Sequence, residues 1–265
     1  RDAGWLQLFA SSNQEAVDLH VQAFALAERT SLPVMVCMDG FVLTHAMEAV
    51  DVPEQAEVDA FLPPFEPRQW LDPDAPVTMG AMVGPDAFTE VKYLQARSQL
   101  EAIDTVADVA AEFRAAFGRD SGGLVRPYRT EDAEVVLVVM GSTFGSAQDV
   151  VDSLREDGVR VGVLGITCYR PWPFDEVRDA LRGIPRAVVV NRAISVGAGS
   201  VLGRDIRLSA PRGTRVLDVV MGLGGRPVTR DGLRGLVVDA LADQLPDDEL
   251  HFADLDHDAI AQELA

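Results

Sequence analysis

From about residue 130 onward the chain alternates short, unbroken apolar runs with amphipathic stretches, and this restricts it to few folds. The runs are Glu134–Met140, Val159–Cys168, Ala187–Val190 and Arg215–Val220. A strand apolar at every position is buried on both faces, which is the habit of parallel sheets; half-solvated antiparallel strands alternate instead. Helices are predicted from the turn at Gly141-Ser142-Thr143-Phe144-Gly145 to about Glu156, over about Phe174–Leu181, and from the Thr229 cap to about Leu245. Gly158 is placed to stop the first of them. Ile206–Leu208 reads as a short edge strand, and the acidic tail from Asp247 to Ala265 as loosely packed. The expectation is an α/β domain with a parallel sheet covered on both sides.

The preceding residues have a different texture. Ser12-Asn13-Gln14-Glu15 has the S-x-x-E form of a capping box, and Ala16, Leu19, Ala23 and Ala27 follow at helical spacing until Leu32-Pro33. Val34–Met38, closed by Asp39-Gly40, reads as a buried parallel strand. Residues 40–85 carry Pro53, Pro63, Pro64, Pro67, Pro73, Pro76 and Pro85, so only a short helix around Glu54–Leu62 is predicted there, within a long excursion. A long helix is predicted over Phe88–Phe117, with Val91, Leu94, Leu100, Ile103, Val106, Ala110, Phe113 and Phe117 on one stripe and Gly118 as its stop. Arg119–Arg129 reads as a linker, giving domains 1–125 and 126–265.

Charge and cysteine content narrow the chemistry. With 42 acidic and 23 basic residues the formal net charge is −19, which disfavours nucleic acid and anionic membranes as partners. Cys37 and Cys168 lie inside apolar runs and read as buried free thiols of a cytoplasmic protein; with two cysteines and no C-x-x-C pair, the chain cannot by itself ligate an iron–sulfur cluster. The Gly141–Gly145 turn lacks the G-x-G-x-x-G order and the Walker lysine, and it reads as β-α turn chemistry ahead of an anion site. Gly197-Ala198-Gly199-Ser200 and Gly222-Leu223-Gly224-Gly225 follow strands, where α/β folds bind ligands, but both also serve as plain turns. No G-x-S-x-G elbow is present. His20 falls in a helix and His251 and His257 in the tail; His45 alone follows a strand end, where acid–base work or a merely satisfied ring are both open. The carboxylates Asp51, Glu54, Glu57 and Asp59, and Asp254, Asp256 and Asp258, read as solvating clusters, not metal sites.

Three stretches together point further: Gly4-Trp5-Leu6-Gln7-Leu8 with Ser12–Asp18, Pro33–His45 containing Asp39-Gly40-Phe41, and Val83–Phe88. With Met140-Gly141-Ser142, Tyr169–Pro173, Asn191-Arg192-Ala193-Ile194 and Gly222–Arg226, they resemble, in colinear order, the pyruvate:ferredoxin alpha chains of the 2-oxoacid:ferredoxin oxidoreductase family. The resemblance implies the back half of a thiamine-diphosphate pyrimidine-binding-type domain, followed by a transketolase C-terminal-like parallel-sheet domain. It implies oxidative decarboxylation of pyruvate to acetyl-CoA and CO2, with electrons passed to ferredoxin. Thiamine diphosphate and Mg2+ would be held mainly by a beta partner, and iron–sulfur clusters by gamma and delta partners, in a dimer of heteromers. The chain opens at Arg1 without Met, so the upstream part of an alpha chain, with its glutamate, threonine and arginine, is expected to be missing and the chain alone inactive. Asp39, Thr44 and His45 are the residues expected to shape the cofactor interface. Family chains usually carry Asp-Arg after the third strand, where this one has Asn191-Arg192. Other 2-oxoacids, namely 2-ketoisovalerate or 2-oxoglutarate, and a non-catalytic assembly role are the alternatives.

Overall fold

The computed structural model describes residues 1–80, 82–247 and 249–265. In chain order the elements begin β1 (Leu6–Phe9), α1 (Asn13–Thr30), β2 (Val34–Cys37), α2 (Gln55–Phe61), α3 (Pro85–Phe117), β3 (Val125–Tyr128) and β4 (Val135–Met140). They continue α4 (Thr143–Glu156), β5 (Val161–Ile166), β6 (Cys168–Arg170), α5 (Phe174–Ala180), β7 (Arg186–Asn191), β8 (Ile194–Ser195), β9 (Gly199–Ser200) and α6 (Leu202–Ser209). The last are β10 (Arg215–Val220), α7 (Arg230–Leu241), β11 (His251–Phe252) and α8 (His257–Glu263). The chain forms two interleaved units. One contains Arg1–Cys37, Glu48–Leu124 and Cys168–Trp172, and the other Met38–Met47, Val125–Thr167 and Pro173–Ala265.

In the first unit β1 lies between β2, parallel to it, and β6, antiparallel. Helix α1 starts as its sequence dictates: Ser12 Oγ accepts the Glu15 N–H at 3.1 Å. The returning arm of the capping box is shifted by one residue, because the Glu15 carboxylate takes the Ser11 N–H at 2.7 Å and the Ser11 hydroxyl at 2.6 Å. Ser31 closes the helix in the left-handed region at φ 54°. Helix α3 packs against α1 through its C-terminal half, where Ala102, Val106, Val109 and Phe113 are buried at helical spacing. Phe61 of α2 meets Phe113 and Phe117 edge-on at 5.7 and 5.6 Å between ring centroids. Asp18, fully buried, receives the Arg119 guanidinium at 2.9 Å and the Ser121 hydroxyl at 2.7 Å, so the charge buried on α1 has its counter-charge.

The second unit is a six-stranded sheet in the order β11-β10-β7-β4-β5-β3, parallel except for β3 at one edge. Val135, Leu137, Val139, Val163, Val188 and Leu217 pack under α4 and α7 through Phe144, Ala147, Val151, Leu154, Leu233 and Val237. The intervening Val136, Val138, Ala187 and Val189 are equally inaccessible, and α6 lies against β7 and β10. Each such side chain contributes about 1.5–3 kcal/mol of burial, which makes this sheet the main source of the unit's stability.

Several expectations are corrected. Val34–Cys37 is an edge strand and not buried, with Met35 40% exposed, because β1 covers only one of its sides. Cys37 is accordingly half-buried, whereas Cys168 is fully buried. Val91, Leu94 and Leu100 of the expected stripe are exposed. The expected linker contains β3, which completes the sheet edge against β5. The single run Val159–Cys168 splits at Thr167 into β5 of one sheet and β6 of the other. Ile206–Leu208 is helical: Leu202, Ile206 and Ser209 are buried at helical spacing while Leu208 is exposed. The tail contributes β11, which pairs with β10, and α8; the last long helix stops at Leu241. No helix is long and apolar enough to cross a membrane among the described residues.

Candidate functional site

In the second unit, β4 hydrogen-bonds to β5 on one side and β7 on the other. Strand order therefore reverses at β4, and the carboxyl ends of β4 and β7 flank the crevice where doubly wound sheets take ligands. Gly141 ends β4 at φ +66°, in a tight turn that a side chain would obstruct: a Cβ there would lie 2.6 Å from the Asp39 carboxylate. That carboxylate accepts the Ser142 N–H at 2.6 Å and lies 3.2 Å from Nη1 of Arg192, just past β7. Arg192 Nε is buried without a hydrogen-bond partner.

Asp39 thus fills the α4 entry turn with an anion belonging to the same unit. The glycine turn after β10 is served likewise, since the Gly222 N–H donates to the Asp254 carboxylate at 2.9 Å. Between these turns Asn191 forms a buried hub. Its amide donates to Asp218 at 2.7 Å and its carbonyl accepts the Leu202 N–H at 3.0 Å and the Gly203 N–H at 3.3 Å. Ser200, from the β8–β9 hairpin, hydrogen-bonds the other Asp218 oxygen. The Gly197–Ser200 stretch is therefore a hairpin serving this hub.

Thr44 and His45 occupy a compact turn opened by Phe41, a non-glycine residue at φ +68°. The Phe41 N–H donates to Thr44 Oγ1 at 3.0 Å, and Thr44 Oγ1 lies 2.8 Å from His45 Nδ1. One proton lies between the Thr44 hydroxyl and Nδ1, carried by the hydroxyl in one ring tautomer and by the ring in the other. The Phe41 and His45 rings stack at 4.9 Å. Both Thr44 and His45 are exposed, while Leu43 is buried. The three expected site residues accordingly divide: Asp39 faces the sheet, and the Thr44–His45 pair is exposed. Arg192 and Asp254 were missed as site residues. The signal for both was a turn with donors to satisfy beside an excess of acids.

Burial pushes the Cys37 thiol up, which favours its protonated form. No group of three or more His, Cys, Asp or Glu side chains suited to a metal ion occurs among the described residues. A diphosphate at the Gly141 turn would have to displace Asp39.

Fold and strand order define the second unit as a doubly wound α/β module. A 2-oxoglutarate:ferredoxin oxidoreductase from Magnetococcus marinus, solved with 2-oxoglutarate, coenzyme A and succinyl-CoA, shares the fold. It has a TM-score of 0.56 and 15% identity over 91% of this chain and 42% of that one. Residues 1–112 match the profile of the pyruvate flavodoxin/ferredoxin oxidoreductase thiamine diphosphate-binding family, and residues 133–233 that of pyruvate:ferredoxin oxidoreductase core domain II. The pyruvate synthase subunit PorA of Methanothermobacter thermautotrophicus is 39% identical over 231 residues, 86% of this chain and 60% of that protein. The ketoisovalerate oxidoreductase subunit VorA of Pyrococcus abyssi is 33% identical over 243 residues, 90% of this chain and 62% of that protein. The chain belongs to the pyruvate:ferredoxin oxidoreductase family, and it spans about 60% of the length of the PorA relative.

Proposed function

We propose that this chain is the alpha-type part of a thiamine diphosphate-dependent complex that converts pyruvate and coenzyme A to acetyl-CoA and CO2. Two electrons pass to two ferredoxins and one proton is released. The observation that carries this reading is the colinear match of both halves to the two family profiles, with greater identity to a pyruvate synthase subunit than to a ketoisovalerate one. Residues 1–125 supply the C-terminal part of a pyrimidine-binding-like domain, and 126–265 a transketolase C-terminal-like domain. A beta subunit holds the diphosphate and Mg2+, gamma and delta subunits carry the iron–sulfur clusters, and the assembly is a dimer of heteromers. Thiamine diphosphate supplies the acyl carbanion equivalent when bound. This chain supplies Thr44 and His45 as polar groups at the cofactor interface. The 33% identity to a ketoisovalerate subunit supports 2-ketoisovalerate as the second reading.

The test is co-purification of the full-length chain with its partners and a coenzyme A-dependent assay of ferredoxin reduction. Pyruvate is expected to outpace 2-ketoisovalerate and 2-oxoglutarate; preference for either rival, or no 2-oxoacid turnover, overturns the reading. His45→Ala is expected to lower turnover roughly 100-fold or more, the scale of a lost positioned acid–base group. Unchanged turnover and pyruvate affinity would remove His45 from the site.

A further inference from the structure

We infer that Asp39 is a positioning residue: its carboxylate is a tethered anion seated on the switch point of the second unit's sheet, and this seat holds the 40–45 turn that presents Thr44 and His45. The inference rests on the role given to that pair above, and it assigns Asp39 a different task from theirs. Apart from the Phe41 ring, which lies beside Gly225, the turn has little else to hold it. Phe41 is 69% exposed and Val42 50%, and Thr44 and His45 are exposed as well; Leu43 is the one residue of 40–45 whose side chain is buried. The turn's internal hydrogen bonds, Val42 N–H to Gly40 O at 2.9 Å and His45 N–H to Phe41 O at 3.3 Å, shape it without attaching it to anything.

Asp39 makes the attachment. It lies two residues before Phe41, and one oxygen, Oδ2, meets both the Ser142 N–H and the Arg192 guanidinium, the partially positive and cationic groups at the ends of β4 and β7. The site is shaped for a carboxylate, since a side chain on Gly141 would occupy its volume. Both donors meet the same oxygen, so an amide oxygen placed there would keep the two contacts and lose the charge that the guanidinium faces. A residue so placed acts on chemistry through the placement of Thr44 and His45 and touches no substrate itself.

The test uses the full-length chain in its complex. Amide hydrogen exchange is followed over 38–47 and at Ser142 in the wild type, Asp39→Ala and Leu43→Ala, with and without added sodium formate, sodium chloride serving as the salt control. Asp39→Ala is expected to exchange roughly tenfold or more faster over this segment, the scale of a lost charge-assisted hydrogen bond. Formate, a free carboxylate of the right size, should restore Ser142 protection in Asp39→Ala, where chloride should not. Leu43→Ala should loosen the turn without responding to formate. Pyruvate-dependent ferredoxin reduction should fall in Asp39→Ala and recover in part with formate, whereas the loss in His45→Ala should not recover. Wild-type exchange in Asp39→Ala, or an equal response to formate in both loosened variants, overturns the inference. If Asp39→Ala does not fold, Asp39→Asn takes its place, and unchanged exchange there overturns it equally. Because exchange is read without turnover, a failed assignment of His45 leaves the positioning result legible on its own.

Discussion

Among the residues, Asn191 shows most clearly what a single atom decides. Its amide and carbonyl are both committed, the first to the Asp218 carboxylate at 2.7 Å and the second to the Leu202 and Gly203 N–H groups opening α6. Gly203 is required for the same reason, as a Cβ there would sit 2.2 Å from the Asp218 oxygens. An aspartate at 191 would keep the acceptor and lose the donor, placing two carboxylates in contact inside the sheet edge. Asn191→Asp is therefore expected to destabilise the fold at neutral pH by about 2–4 kcal/mol, the scale of a buried donor lost plus an unpaired charge. The sign with pH follows from like-charge contact: one carboxyl of the pair keeps a proton to higher pH when folded than when unfolded. The deficit should shrink as pH falls toward 5 and grow toward 8. Urea midpoints measured across that range check it, and a deficit that does not change with pH would mean that the lost donor alone matters. Asn191 could be singled out in the sequence as a departure from Asp-Arg, but not its partner, because Asp218 lies on a different strand and reads there as one acid inside an apolar run.

The elements themselves were legible wherever a local rule and the tertiary environment agree. β10 matches its expected bounds at both ends, and α3 ends at the expected Gly118, at φ 67°. Both rest on short-range chemistry, an unbroken apolar run and a left-handed glycine. What failed depended on partners distant in sequence. The burial of a strand is set by how many neighbours it has: Val34–Cys37 has the apolar sequence of an interior strand and the position of an edge one. Helix α3 illustrates the same gap along one element. Its apolar residues continue N-terminally past the stretch that α1 covers, so periodicity alone cannot say which half is core. Two substitutions separate the halves. Val109→Asp, at a fully inaccessible position, is expected to cost about 3 kcal/mol or more. Leu94→Asp, at a position 58% exposed, is expected to change stability by less than about 0.5 kcal/mol. Thermal or urea unfolding of the isolated chain reads both, and a large loss at Leu94 would show that the N-terminal half of the helix is packed in solution.

Over the whole molecule the governing quantity is the excess of acids, 42 against 23 bases, and the question is which acids stabilise the fold. The start of the large sheet gives one answer. Arg186 and Arg215 are direct cross-strand neighbours on β7 and β10, a like-charge pair that is unfavourable by itself. Asp243, just beyond α7, takes a hydrogen bond from Arg186 at 3.0 Å and another from Arg215, while Asp247 takes the Arg215 Nε–H at 2.8 Å. These contacts hold the Asp243 carboxyl below the usual carboxylate range, through the Arg186 hydrogen bond first and the Arg215 one second. Arg155 does the same to Asp132, and Arg29 to Glu112. A folded pKa below the unfolded one means that the unfolded chain binds more protons in the window between them. The resulting stability is present above the unfolded carboxylate range of about 4 and is lost as pH falls through the folded values. Mutual repulsion among the surplus acids acts oppositely, because protonation relieves it. Repulsion between exposed charges fades beyond about a Debye length, near 10 Å at 0.1 M salt, whereas the paired carboxylates are in direct contact with their cations, each such exposed pair contributing about 0–1 kcal/mol to the acid limb. Stability is therefore expected to hold from pH 7 to about 5 and to fall steeply below about 4. Asp243→Asn should be less stable than the wild type at pH 7, through Arg186 and Arg215 left facing each other, and should converge on it as pH falls through the lowered folded-state value of Asp243. Urea midpoints of the two proteins between pH 2 and 7 measure the convergence; curves that stay parallel throughout would show that Asp243 contributes nothing through its charge, and that the two arginines are kept apart by solvent alone.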